Sequence, residues 1–161
     1  MPMDLAAVVR WLEVERLYAD YVRCLDGDAL ERWPDLFTED CFYRVTSAEN
    51  YEAGMPLGLI RATSRNMLKD RVSALREANI YEPQRYRHLV APIRILRETP
   101  AALEVEANFL VVRTMQDGDM TLFAAGRYVD RLVRADEDWR FAVKEVILDS
   151  RRIDTLLAIP L

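Results

Sequence analysis

A chain of 161 residues with 51% hydrophobic and 30% charged side chains has a globular composition, and its length suits one domain, 1–161, that buries about two-thirds of its unfolded surface. A net charge of −5 excludes broad electrostatic attraction to nucleic acid or anionic lipid. Apolar runs such as Phe109–Val112 and Leu156–Leu161 are far shorter than the ~18 residues of a membrane span, and Asp4, Arg10 and Glu13 interrupt the pattern where a secretory leader would need an unbroken core.

The first helix is expected from Asp4, its N-cap, to about Leu25, with Val14, Leu17, Tyr18, Tyr21 and Leu25 as its apolar stripe. Gly27 breaks it. Asp28, with Glu31 three residues on, reads as a capping box opening a second short helix, which Trp33-Pro34 kinks or restarts. Phe42–Thr46 is a strand by its β-branched and aromatic content, and 47–58, with Asn50, Gly54 and Pro56, is a loop. A third helix is expected over Thr63–Ala78, with Met67, Leu68, Val72 and Leu75 inward and Asn79 as its stop.

The second half changes period. Leu103, Val105, Ala107, Phe109 and Val111 alternate against Glu104, Glu106 and Asn108, and Trp139, Phe141 and Val143 repeat the pattern two strands later. Turn chemistry at Glu98-Thr99-Pro100, at Gln116–Asp119 and at Ala135–Asp138 joins four strands into an antiparallel meander. Strands this long coil strongly, so the fold class is α+β: helices first, then a strongly curved, mainly antiparallel sheet around them.

The order helix, Leu25-Asp26-Gly27-Asp28, Trp33, Leu36-Phe37, Glu39-Asp40 and Phe42-Tyr43 resembles the opening of the cone-shaped NTF2-like fold. Over nearly its whole length the chain is similar to the small (β) subunits of aromatic-ring-hydroxylating dioxygenases. The similarity rests on Asp70-Arg71 with Leu75-Arg76, Arg87-His88-Leu89-Val90, Ala125-Gly126-Arg127 with Asp130 and Leu132, Trp139-Arg140, and Val146-Ile147-Leu148-Asp149. Tyr43–Thr46, Ala74–Tyr81 and the tail from Asp154 to Leu161 resemble β subunits of oxygenases that act on aromatic carboxylates, such as terephthalate or salicylate. Pro92 departs from the pattern, standing where many relatives place Asn.

His88, the sole histidine, has the residue type of a general base, but beside Arg85 and Arg87 a hydrogen-bonding or interface role is expected. Cys24 and Cys41 have no further Cys or His at ligand spacing and read as buried, reduced thiols of a cytoplasmic protein. Glu39-Asp40, Asp117 with Asp119, and Asp136-Glu137-Asp138 are paired carboxylates, the last two sets in hairpin tips where burial and convergence cannot be supplied. Arg127 and Asp130 lie three apart on one strand, hence on opposite faces, and each is expected in an ion pair with a neighbouring strand or in an interface contact. Tyr18 and Tyr21 are expected to pack in the core with hydroxyls satisfied at the rim. Arg61, Arg65, Lys69, Arg71 and Arg76 give the third helix a solvated or interface face, and the apolar tail either docks a partner or packs on the chain's own sheet.

The chemistry implied by the resemblance needs a Rieske [2Fe–2S] cluster on two Cys and two His, and a mononuclear Fe(II) on two His and a carboxylate. One histidine cannot supply that set. The resemblance therefore implies that both centres sit on a large α subunit fed from NAD(P)H through a separate reductase, and that this chain trimerises and docks onto it in an α3β3 hexamer. No catalytic, cofactor-binding or metal-binding residue is expected here. The alternatives are a stand-alone isomerase or dehydratase using Tyr18, His88 or Asp130, and a binder of a small aromatic ligand.

Overall fold

The computed structural model describes residues 4–78, 81–153 and 157–161. Helix α1 (Leu5–Asp26) is followed by a 3-10 helix (Leu30–Leu36), strand β1 (Phe37–Ser47), helix α2 (Ala48–Glu52), strand β2 (Ile60–Ala62) and helix α3 (Arg65–Glu77). Strands β3 (Gln84–Val90), β4 (Arg94–Glu98), β5 (Ala102–Met115), β6 (Met120–Ala135) and β7 (Asp138–Leu148) complete the chain. The sheet order is β2-β1-β7-β6-β5-β3, and β4 pairs with the other half of the β5 edge that β3 uses. All neighbours are antiparallel except β1 and β7, so the last strand of the meander closes against the first strand of the chain.

The apolar stripe of α1 is buried as its spacing requires: Val14, Leu17, Tyr18, Tyr21, Cys24 and Leu25 face the sheet. Strands β5 and β6, with 14 and 16 residues, are long enough to coil around that helix. In the core between helices and sheet the aromatic rings interlock, most of them edge to face. Tyr21 lies 5.4 Å from Phe141, Trp33 lies 5.2 Å from Tyr43, and Phe109 stacks on Tyr128 at 4.4 Å. Such pairs contribute about 0.5–1.5 kcal/mol each beyond the area they bury. Among the described residues no helix is long and apolar enough to cross a membrane.

Several expectations are corrected. The second helix is a 3-10 helix that contains Pro34 and starts after Ala29 without a side-chain cap. Asp28 is no cap; it adopts φ 55° and joins Glu31 in binding Arg76. Strand β1 begins at Phe37, five residues before the apolar run that marks it in the sequence. The expected loop holds α2, whose N-cap Ser47 accepts from the Asn50 amide at 3.2 Å. Helix α3 starts after Ser64, whose hydroxyl accepts from the Met67 amide. Met67 itself is 43% exposed rather than inward, and Asn79 lies outside the described residues.

The largest correction lies in β7. Arg131 pairs with Val143 but Leu132 pairs with Phe141, so Ala142 is an extra residue that bulges the strand. The inward series after Phe141 is therefore Lys144 and Val146, not Val143.

Candidate functional site

The bulge turns a lysine into the cone. Lys144 Nζ donates to Asp130 Oδ2 at 2.7 Å, and neither side chain has any exposed surface. Tyr18 donates its hydroxyl to the same carboxylate oxygen. Rings of Tyr18, Tyr21, Tyr128 and Phe141 surround the ammonium at 3.7–4.8 Å from their centroids, a cage whose quadrupoles favour the cation. Burial pushes the Asp130 carboxyl up and pulls the Lys144 ammonium down to about 8, while each charge opposes the other's shift. Lys144 therefore remains charged at neutral pH. A sealed ion pair of this kind holds β6 to β7 and α1, and it offers no face to a substrate. Asp130 thus has the neighbouring-strand partner expected of it, and Arg127 points outward, 4.0 Å from Glu106.

A second buried pair lies at the end of α1. His88, on the inward face of β3, places Nδ1 2.6 Å from Asp26 Oδ1, and its backbone amide donates to Asp26 Oδ2 at 2.8 Å. One carboxylate thereby fixes both the ring and the strand, locking β3 onto the last residue of α1. Arg85 and Arg87 take the exposed face and do not share the histidine's surroundings. The hydrogen-bonding role expected of His88 is present; its partner, 62 positions away, left no local trace in the sequence.

The tail occupies the same interior. Residues 157–161 are all buried, and Leu161 is fully so. Tyr21 and Tyr43 both donate their hydroxyls to the Leu161 main-chain oxygen, at 2.6 and 3.0 Å, and the Leu161 amide donates to Tyr43 Oη. Arg71 Nη2 donates to the Leu157 carbonyl at 2.9 Å. The tail is thus packed inside its own cone and is not a docking arm; Leu156 lies outside the described residues. The Tyr18 and Tyr21 hydroxyls are satisfied deep in the fold rather than at its rim. Of the basic residues expected on the third helix, Arg61 lies on β2, Lys69 is exposed as a solvated face requires, Arg65 binds the Phe37 carbonyl, and Arg76 binds Asp28 and Glu31 at the surface.

Cys24 and Cys41 are buried free thiols, both pushed up by burial, Cys41 to about 11. The acidic sets at 117–119 and 136–138 are exposed in turns, as expected. With its one histidine committed to Asp26, the chain does not offer the donor set of a Rieske cluster or a mononuclear iron. Among the described residues no three His, Cys, Asp or Glu side chains gather in a metal-binding group.

The outer face of the sheet is divided. Toward one end it is laced with charge, Arg44 binding Glu145 at 2.6 Å beside the Arg127–Glu106 contact. Toward the β5–β6 hairpin it turns apolar on β5 and β6, bordered by Arg85 and Arg87 on β3: Leu89 pairs with Leu110, Leu110 with Ala125, and Val112 with Leu122. Leu89, Leu110, Leu122 and Met120 are 42–67% exposed, a contiguous apolar patch of the kind that marks an interaction surface. The signal was present in β5, whose outward series changes from Glu104, Glu106 and Asn108 to Leu110 and Val112.

Helices packed inside a strongly curved, mainly antiparallel sheet are the NTF2-like fold. Residues 21–155 match the family model for the ring hydroxylating beta subunit. The chain is 42% identical over 151 residues to the small subunit of anthranilate 1,2-dioxygenase from Burkholderia cepacia, covering 94% of each. It is 39% identical over 154 residues to a β subunit of the terminal oxygenase component of terephthalate 1,2-dioxygenase from Comamonas, covering 96% of this chain and 100% of that one. A crystal structure from Novosphingobium aromaticivorans, assigned as the β subunit of an aromatic-ring-hydroxylating dioxygenase, superposes with a TM-score of 0.89 at 38% identity over 97% of this chain and 99% of that one. The chain belongs to the β-subunit family of ring-hydroxylating dioxygenases.

Proposed function

We propose that this chain is the assembly-forming β subunit of an oxygenase that hydroxylates an aromatic carboxylate. The domain, 1–161, trimerises and caps an α trimer as α3β3 in the cytoplasm. The α subunits hold the Rieske cluster and mononuclear iron and receive electrons from NAD(P)H through a separate reductase. The chain contributes no catalytic or metal-binding side chain of its own.

The observation that carries this reading is the apolar patch at Leu89, Leu110 and Leu122 on a chain of this family. A β subunit contributes surface, and this surface is unpaired in the isolated chain. The substrate class rests on the anthranilate and terephthalate systems to which the two relatives belong, since both compounds are aromatic carboxylates. Co-expression with an iron-bearing α chain tests the assignment. A complex with the mass of a hexamer that turns over benzoate-type substrates supports it; full turnover by the α chain alone refutes the assembly role.

A further inference from the structure

We propose that the cone interior is a binding site for a small carboxylate with an apolar body, held in this structure by residues 157–161 as an internal ligand. Two hydroxyls from different elements, Tyr21 on α1 and Tyr43 on β1, converge on one oxygen, that of Leu161. A buried carboxylate oxygen is recognised by the same arrangement, because it too accepts two donors at one atom. The cation that such an anion needs is at hand. Arg71 donates to the Leu157 carbonyl at 2.9 Å and keeps a buried Nε with no partner among the described residues.

The walls supply the apolar half of the site. Trp33 and Phe37 stand edge-on to Tyr43 at 5.2 and 5.9 Å, and Tyr21 faces Phe37 at 6.3 Å. Leu157, Ala158, Ile159 and Leu161 bury their side chains in the same core cluster. The tail is thus a short apolar segment that carries a doubly hydrogen-bonded oxygen at Leu161. An aromatic or branched aliphatic carboxylate presents the same pattern in one molecule. Tail and ligand would exclude each other.

The test uses benzoate as probe and benzamide as the uncharged control. Tryptic cleavage at the exposed Arg151 and Arg152 of the full chain reports whether the tail is seated. Benzoate is expected to accelerate release of the tail several-fold and saturably, while benzamide does not. A chain truncated after Ile153 is expected to bind benzoate with a rise in Tm, and the Tyr21→Phe/Tyr43→Phe form of that truncation to lose it. A folded truncated chain blind to benzoate overturns the proposal. If the truncated chain does not fold, the full chain decides: cleavage unmoved by saturating benzoate overturns it.

Discussion

Asp130 and Lys144 face each other across β6 and β7 in register, 2.7 Å apart, with no exposed surface on either side chain. Taking two charges out of water costs several kcal/mol per ion, and the pair, the Tyr18 hydroxyl and four aromatic faces offset that cost together. Removing one partner strands the other. Lys144→Met should therefore lower stability by about 3–5 kcal/mol. The double change Lys144→Met with Asp130→Leu should recover most of that loss, because no uncompensated charge is left. Urea denaturation of the three chains checks it, and a double variant as weak as the single would show that the pair is not the coupled unit.

Alkaline pH should act through the same interior. Tyr18, Tyr21, Tyr43 and Tyr128 are fully buried, and burial raises all four hydroxyls, Tyr43 to about 12. Above pH 10 the unfolded chain releases these protons and the folded chain keeps them, so folding binds protons and stability falls as pH rises. Each proton contributes about 1.4 kcal/mol per pH unit. Lys144 has the opposite sign, since its folded value of about 8 lies below the unfolded 10.5, and it adds stability between those limits. One lysine against four tyrosines leaves steep alkaline unfolding from about pH 10. Loss of circular dichroism should coincide with ionisation of these four among the seven tyrosines, read by absorbance at high pH; ionisation of all seven in a chain that stays folded would contradict it.

Gly126 carries a stricter demand than its place in an ordinary strand suggests. It pairs with Phe109 on one side and Leu148 on the other, and a Cβ built on it would lie 1.9 Å from the Ile147 carbonyl oxygen. That atom is backbone in the next strand, so it cannot rotate away. Gly126→Ala should open the β6–β7 ladder locally and cost about 3 kcal/mol, the upper end of ordinary overpacking penalties. A urea midpoint unchanged from the parent chain would show that the two strands separate there at little cost.

What the sequence made legible follows periodicity. The α1 stripe, the β5 alternation and the three hairpin turns needed only local pattern, and each lies where that pattern puts it. The interior pairs were hidden for two physical reasons. Lys144 sits one step out of phase with Trp139 and Phe141 because Ala142 bulges, and a bulge leaves no mark in a hydropathy alternation. Asp26 and His88 meet only once β3 crosses the end of α1, a contact over 62 positions that no local rule encodes. The tail's place was undecided for a related reason: a run of apolar residues says that it is buried, not against what.

The apolar outer face gives the sharpest test of assembly. Leu89 on β3 and Leu110 on β5 are register partners, 58% and 42% exposed, with their side chains away from the core. Replacing both by aspartate should leave the isolated fold intact, because neither position contributes to the packed interior. In an interface the two leucines would together contribute about 3–6 kcal/mol of burial, and two desolvated carboxylates would subtract from what remains. Association should weaken by at least about a hundredfold. Native mass spectrometry of the chain co-expressed with its α partner, beside the circular dichroism of the chain alone, reads both effects. Loss of the complex with an unchanged fold marks the β3–β5–β6 face as the contact; an intact complex moves the interface to the charged end of the sheet, where Arg44, Glu145, Arg127 and Glu106 would have to carry it.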